Sequence, residues 1–302
     1  MNQKNFEGVW TAIATPFIES GAIDWSSFEK HLEQQAAGGV TGIVISGTTG
    51  ESPTLTVQEK ISLVRKARAI LPPKVRIMAG SGGNNTSQSV ELSKLCVEAG
   101  ADSLLIVTPP YNKPSMSGLK LHFQMISDAV QVPLCLYHVP GRTGQNLSAA
   151  AIATITTIPK VHGVKEASGD IGLYSRVVNL SEASILSGDD PSYLASLSVG
   201  GKGVISVVSN IFPAAMVEMT AAFKSHNHEK ALAIHKILLP AIDVLFCESN
   251  PGPLKAALNI FGLGKNILRA PLAPVVDENY DLIRNTLMNA KSQLAKNVGR
   301  ND

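Results

Sequence analysis

The sequence predicts a closed parallel (β/α)8 TIM barrel with a C-terminal helical extension. Three observations predict it: eight short apolar runs bounded by Gly, Pro or polar clusters, amphipathic stretches between most of them, and more helix after the last run than a barrel needs. The runs are VWTAIA from Val9, GIVIS from Gly42, VRIMAG from Val75, SLLIVT from Ser103, PLCLYHV from Pro133, VHGVKEA from Val161, SILSGD from Ser184 and GVISVVSN from Gly203. Near-continuous apolar runs suit strands buried on both faces, as parallel strands are. Between them lie amphipathic stretches at 25–37, 56–69, 86–98 and 117–130, several opening with a Ser or Thr that can cap a helix.

Strand-then-helix units recur at a spacing of about thirty residues but share no side-chain motif, which argues against a solenoid. An open doubly wound sheet would want a glycine fingerprint after its first strand. VWTAIATPF has no glycine there, and GSGGNN puts Asn85 where a third glycine belongs. Helical runs at 213–225, 229–247, 251–261 and 277–297 follow the eighth strand. The chain is therefore divided into a catalytic barrel over 1–225 and a helical extension over 226–302, the latter a cap for the barrel or an oligomer contact.

Composition narrows the function. With 44% hydrophobic and 17% charged residues in 302, the chain can bury a large core. Lys and Arg total 26 against 24 Asp and Glu, with no long basic run, so nucleic acid and membrane surfaces are poor partners and small molecules better ones. The start of the chain lacks a cationic stretch leading into a long apolar one, and no segment approaches a spanning helix, which predicts a cytoplasmic protein. Cys96, Cys135 and Cys247 fit neither a disulfide framework nor a zinc set and are expected as buried small hydrophobes. The closest histidines, His226 and His228, sit in a polar turn, and no HExxH occurs, so neither a metal nor another cofactor is predicted.

In a parallel barrel the chemistry sits where strands end. Here those ends read Ser46-Gly47-Thr48-Thr49-Gly50-Glu51, Thr108-Pro109-Pro110-Tyr111, Tyr137 through Thr143, Lys165-Glu166 and Ser187-Gly188-Asp189-Asp190. Lys165 stands out because Lys74, Lys160 and Lys202 fall before their strands, on the opposite rim. Period-two alternation puts Gly163, Lys165 and Ala167 on one face, and the two small neighbours leave room around an inward amine. Desolvation penalises the ammonium form of an amine and favours the neutral nucleophile that imine formation needs. Against this stands a plain buried ion pair with Glu51, Glu166 or Asp189. Tyr137 can move protons on and off a carbinolamine, with Thr48 passing them on, although a strand tyrosine also serves as packing. Arg142, after a Pro-Gly turn, offers a planar fork for a carboxylate or is a solvated loop charge. Gly47 and Gly50 let backbone N–H groups approach an anion, or simply form a tight turn.

Six strings in order, GTTGE at Gly47, PPYNKPS at Pro109, YHVPGRTG at Tyr137, GVKEASGD at Gly163, SGDD at Ser187 and GVISVVSN at Gly203, resemble the dihydrodipicolinate synthase and N-acetylneuraminate lyase family. GTTGE and PGRT place the resemblance on the synthase side. It implies Lys165 as the Schiff-base lysine, Tyr137 as proton donor and acceptor, and Thr48 and Tyr111 completing a hydroxyl relay. It further implies that Thr49, Gly188 and the Ile205 backbone bind pyruvate, that Arg142 binds the carboxylate of L-aspartate 4-semialdehyde, and that Tyr111 reaches a neighbouring subunit's site in a homotetramer of tight dimers.

Two departures from the family pattern bear on chemistry. His138 stands where asparagine is usual and alternates away from Tyr137, so only a packing consequence is expected. At the positions of the family's L-lysine pocket Ser52 and Asn84 fit, but Val57, Lys60, Gln88 and Pro110 replace polar acceptors. An ammonium ligand would be poorly satisfied there, which predicts weak or absent feedback by L-lysine. Rival readings are an aldolase cleaving a 2-keto-3-deoxy sugar acid or sialic acid to pyruvate, and a catalytically silent barrel that binds a keto acid. A metal-dependent aldolase is disfavoured by the scattered histidines.

Overall fold

The computed structural model describes residues 6–298; the first five and last four residues of the two expected units lie outside the described residues. Eight parallel strands, β1 (Gly8–Ala12), β2 (Gly42–Ile45), β3 (Arg76–Gly80), β4 (Ser103–Val107), β5 (Leu134–His138), β6 (Val161–Glu166), β7 (Ser184–Ser187) and β8 (Gly203–Ser206), pair in sequence order, and β8 closes onto β1. The helices between them are α1 (Trp25–Ala37), α2 (Val57–Ile70), α3 (Thr86–Glu98), α4 (Met116–Ala129), the single turn α5 (Pro140–Thr143), α6 (Ala149–Thr156), α7 (Ile171–Leu180) and α8 (Tyr193–Ser198). After β8 come α9 (Pro213–Lys224), which packs on β1, and then α10 (His228–Val244), α11 (Gly252–Ile260) and α12 (Asp277–Val298).

Each expected strand is present, and the last is shorter than its apolar run. GVISVVSN leaves the sheet at Ser206 because buried Asp190 accepts from the amides of Val207 and Val208 at 2.8 and 3.0 Å, turning Val208–Asn210 into a 3-10 turn. Helix caps also differ in detail. Thr56 makes a full capping box with Glu59, whereas Asn85 caps α3, Ser115 caps α4 and Asp24 caps α1.

Period-two alternation sorts each strand between two cores. Outward residues such as Ile43, Ile77, Leu104, Leu136, Val164 and Ile185 pack against the helices. Inward residues, Trp10, Val44, Met78, Leu105, Cys135, Tyr137, Leu186 and Ile205, fill the barrel. Phe6 and Trp10, with ring centroids 6.2 Å apart, belong to this inner cluster. A β-carbon at Gly163 would stand 2.7 Å from the Phe6 ring. The space expected to serve the amine is thus occupied by Phe6, and Gly163 is small so that this ring can seat.

Cys96 and Cys135 are buried as expected, and burial pushes their thiols up, to about 11 and about 12. Cys247 corrects the expectation: it is exposed, in the turn after α10.

Candidate active site

Parallel register brings the central pair together. Tyr137 on β5 is the register partner of Lys165 on β6, and because partners in a parallel ladder point to the same face, both side chains enter the barrel. The Lys165 Nζ lies 4.2 Å from the centroid of the Tyr137 ring, and the two residues are only 7% and 6% exposed. The ion-pair alternative fails because each carboxylate proposed for it is engaged elsewhere. Glu51 Oε1 sits 2.9 Å from Lys255 Nζ, Glu166 Oε1 sits 2.9 Å from His138 Nδ1, and Asp189 Oδ2 accepts from the Ser192 amide and hydroxyl. Among the described residues no carboxylate pairs with Lys165. A buried amine with a tyrosine beside it and no structural counter-ion is placed to react.

Gly188 is the adjoining wall. Its amide donates to Glu166 O at 2.7 Å, and a β-carbon there would stand 2.8 Å from Lys165 Cε and 2.6 Å from the Ala167 methyl. Only glycine leaves the lysine stem its path. On β8, Ile205 pairs with Trp10 of β1, while the β7–β8 ladder ends at Ser187 and Val204. On its β7 side, therefore, Ile205 lies beyond the paired residues.

A cavity of about 610 Å3 opens beside this pair at the strands' C-terminal ends, lined by Thr48, Gly80, Leu105, Val107, Tyr137 and Arg142 among others. Lys165 does not line it and meets it through Tyr137. Thr48 is half-buried on its wall, whereas Thr49 is buried and its Oγ1 accepts from Asn250 Nδ2 at 3.0 Å. Arg142 is exposed on α5, and its Nη2 donates to the Asn250 carbonyl at 3.2 Å, so the fork is tethered rather than free in solvent.

The Gly47–Glu51 loop is a tight turn. The Gly50 and Ser52 amides donate to Gly47 O at 3.1 and 3.2 Å, and the left-handed residues are Ser46 and Glu51, with φ of 57° and 56°. The Gly50 amide is thereby used by the turn, which removes it as an anion donor. Gly50 instead permits close packing against the residue after β1, where a β-carbon would meet Ile13 O at 3.1 Å.

Tyr111 is not brought to Lys165 within this chain: it stands 89% exposed on a left-handed backbone, φ 70°. His138 has more than a packing role. Its Nε2 accepts from the Leu147 amide at 3.1 Å, which puts the ring proton on Nδ1, where it donates to Glu166. The Ser168 amide donates to the same Glu166 oxygen at 3.0 Å, so this outward network fixes the end of β6 that carries Lys165.

Two contributors went unnoticed at the level of sequence, Lys255 on α11 and Asn250 in the connection between α10 and α11. Lys255 is 0% exposed and donates to Thr15 O and Ile267 O at 2.5 and 3.0 Å besides pairing with Glu51. Burial lowers its amine from the usual lysine range, while Glu51 opposes that shift. Neither stands in a motif; the one available signal was a lysine inside the apolar stretch PGPLKAAL. Among the described residues no group of three or more His, Cys, Asp or Glu is placed to hold a metal ion.

The profile of the dihydrodipicolinate synthetase family matches residues 5–290. The chain is 44% identical over 279 residues to the 4-hydroxy-tetrahydrodipicolinate synthase of Bdellovibrio bacteriovorus, covering 91% of this chain and 95% of that protein. It is similar to the solved 4-hydroxy-tetrahydrodipicolinate synthase from the thermoacidophilic methanotroph Methylacidiphilum fumariolicum SolV, with a TM-score of 0.93 at 39% identity over 97% of this chain and 98% of that one. A monomeric dihydrodipicolinate synthase variant matches with a TM-score of 0.92 at 40% identity, covering 95% of this chain and 97% of its own. On all these grounds the chain belongs to the dihydrodipicolinate synthetase family.

Proposed function

We propose that the chain condenses pyruvate, held as a Schiff base on Lys165, with L-aspartate 4-semialdehyde. The activity is that of a 4-hydroxy-tetrahydrodipicolinate synthase, a lyase of lysine and diaminopimelate biosynthesis. The observation that carries the site assignment is a buried lysine free of any carboxylate among the described residues, in register with a buried tyrosine.

The neutral amine of Lys165 adds to the ketone carbon of pyruvate, and the carbinolamine loses water to give the imine. Tyr137 moves the protons of these steps, with Thr48 and Tyr111 of the partner subunit as the relay. Loss of a methyl proton gives the enamine, whose carbon attacks the aldehyde of the second substrate. That substrate's amine then displaces Lys165 by transimination, closing the ring and freeing the lysine. Thr49, Gly188 and the Ile205 main chain hold pyruvate, and Arg142 binds the carboxylate of the second substrate. The proposed assembly is a cytoplasmic homotetramer of dimers, supported by an exposed tyrosine that its own chain does not use.

Borohydride reduction with pyruvate, followed by mass spectrometry, tests the reading. The peptide containing Lys165 should gain one reduced pyruvate, and Lys165→Ala should gain none while remaining folded. An unmodified Lys165 in active protein would sink the proposal.

A further inference from the structure

We infer that Asn250 is a positioning residue for the pyruvate-binding Thr49, which makes the C-terminal helices part of the substrate site. The inference rests on the Schiff-base reading above and extends it to a residue no motif marks. Asn250 sits between α10 and α11, 201 positions beyond Thr49, and is 6% exposed. Its Nδ2 donates to Thr49 Oγ1 at 3.0 Å. A hydroxyl has one hydrogen to give. With a donor already on its oxygen, that hydrogen is directed to a different acceptor, and a carboxylate seated beside Lys165 supplies one.

Three further observations support the role. The Asn250 carbonyl accepts from Arg142 Nη2 at 3.2 Å, so one residue touches the groups assigned to the carboxylates of both substrates. The other end of its amide, Oδ1, is buried and has no partner among the described residues. Among the described residues the Asn250 side chain therefore bonds Thr49 alone. Finally, the loop is held from the other side, because Lys255 on α11 pairs with Glu51 at 2.9 Å. The turn that carries Thr49 is therefore clamped twice by the C-terminal helices, through Asn250 at Thr49 and through Lys255 at Glu51.

The test is the dependence of Lys165 trapping on pyruvate concentration, together with steady-state kinetics, in Asn250→Asp and Asn250→Ala. An aspartate can only accept, so it takes the Thr49 hydrogen and sets a negative charge beside the substrate carboxylate. The pyruvate concentration for half-maximal trapping and the KM for pyruvate should rise roughly tenfold or more in Asn250→Asp, the worth of one charge-assisted hydrogen bond, and by less in Asn250→Ala. kcat at saturating pyruvate should stay within about threefold, as for the loss of uniform substrate binding. In a Thr49→Val background, Asn250→Ala should shift half-saturation no further. Unchanged half-saturation in the folded variants, a loss of kcat at constant KM, or additive effects in the double variant would overturn the assignment. Wild-type protein that fails to trap pyruvate would overturn the Schiff-base reading and this inference together, a result distinct from normal wild-type trapping with indifferent variants.

Discussion

Lys165 and Lys255 are both sealed from water, and their surroundings give them opposite tasks. Lys255 donates to Thr15 O and Ile267 O and forms an ion pair with Glu51 at 2.9 Å, with the Phe17 ring centroid 4.3 Å away. An ammonium so fully satisfied holds structure together and has no lone pair to offer. Lys165 pairs with no carboxylate among the described residues and has the face of Tyr137 4.2 Å from its Nζ. In the proposed mechanism Tyr137 handles the protons of imine formation. Tyr137→Phe keeps the ring and its packing and removes the hydroxyl, so kcat should fall by roughly 10²-fold or more with stability nearly unchanged. Near-full activity would show that the relay runs through other groups.

At the scale of elements, the Gly47–Glu51 loop is the hinge of the design. Glu51 meets Lys255, its Oε2 accepts from the Arg269 amide at 3.1 Å, and Arg269 in turn bonds Glu59 of α2 at 2.5 and 2.9 Å. Both cations, Lys255 and Arg269, lie over Phe17, at 4.3 and 4.4 Å. These contacts tie the Gly47–Glu51 loop to α2 and α11. Removing one partner of a buried pair leaves the other charge unpaired, so Lys255→Met should destabilise by about 3–5 kcal/mol in urea unfolding. Adding Glu51→Gln to that variant should restore a good part of the loss, and an additive double variant would argue against the pair.

At the scale of the whole molecule, buried histidines set the acid limit. Burial lowers His31 and His122 from 6.5 to about 4. Above pH 6.5 both the folded and the unfolded rings are neutral and their contribution is complete. As pH falls from 6.5 toward 4 the unfolded chain takes up protons that the folded rings refuse, so stability declines, by about 3 kcal/mol per ring at the lower end. Glu59, held down to about 2 by Arg269, adds a second loss between pH 4.5 and 2. Urea-unfolding free energies should trace both limbs, and His122→Gln should flatten the first. The cavity beside the active site joins Ser52, Lys60, Asn84, Gln88 and Pro110, while Val57 is exposed and does not line it. Among the described residues no Asp or Glu lines that space, and half-buried Lys60 repels a second ammonium. Weak or absent inhibition by L-lysine is the expected kinetic result, and half-inhibition at sub-millimolar concentration would refute it.

Local pattern determined the barrel, the eight strands, the inward faces of Tyr137 and Lys165, and the loops that carry Thr48, Thr49 and Arg142. These depend on short-range periodicity and on the rule that parallel strands present their C-terminal ends together, both of which a linear string records. Tertiary structure decided what no local pattern encodes. It chose between two buried lysines by assigning Glu51 to the one 204 positions along the chain, filled the space at Gly163 with Phe6, turned His138 from packing into a bond with Glu166, and delivered Asn250 to Thr49. Each is a contact between residues distant in sequence, fixed only when the closed sheet and the C-terminal helices bring these groups together out of water.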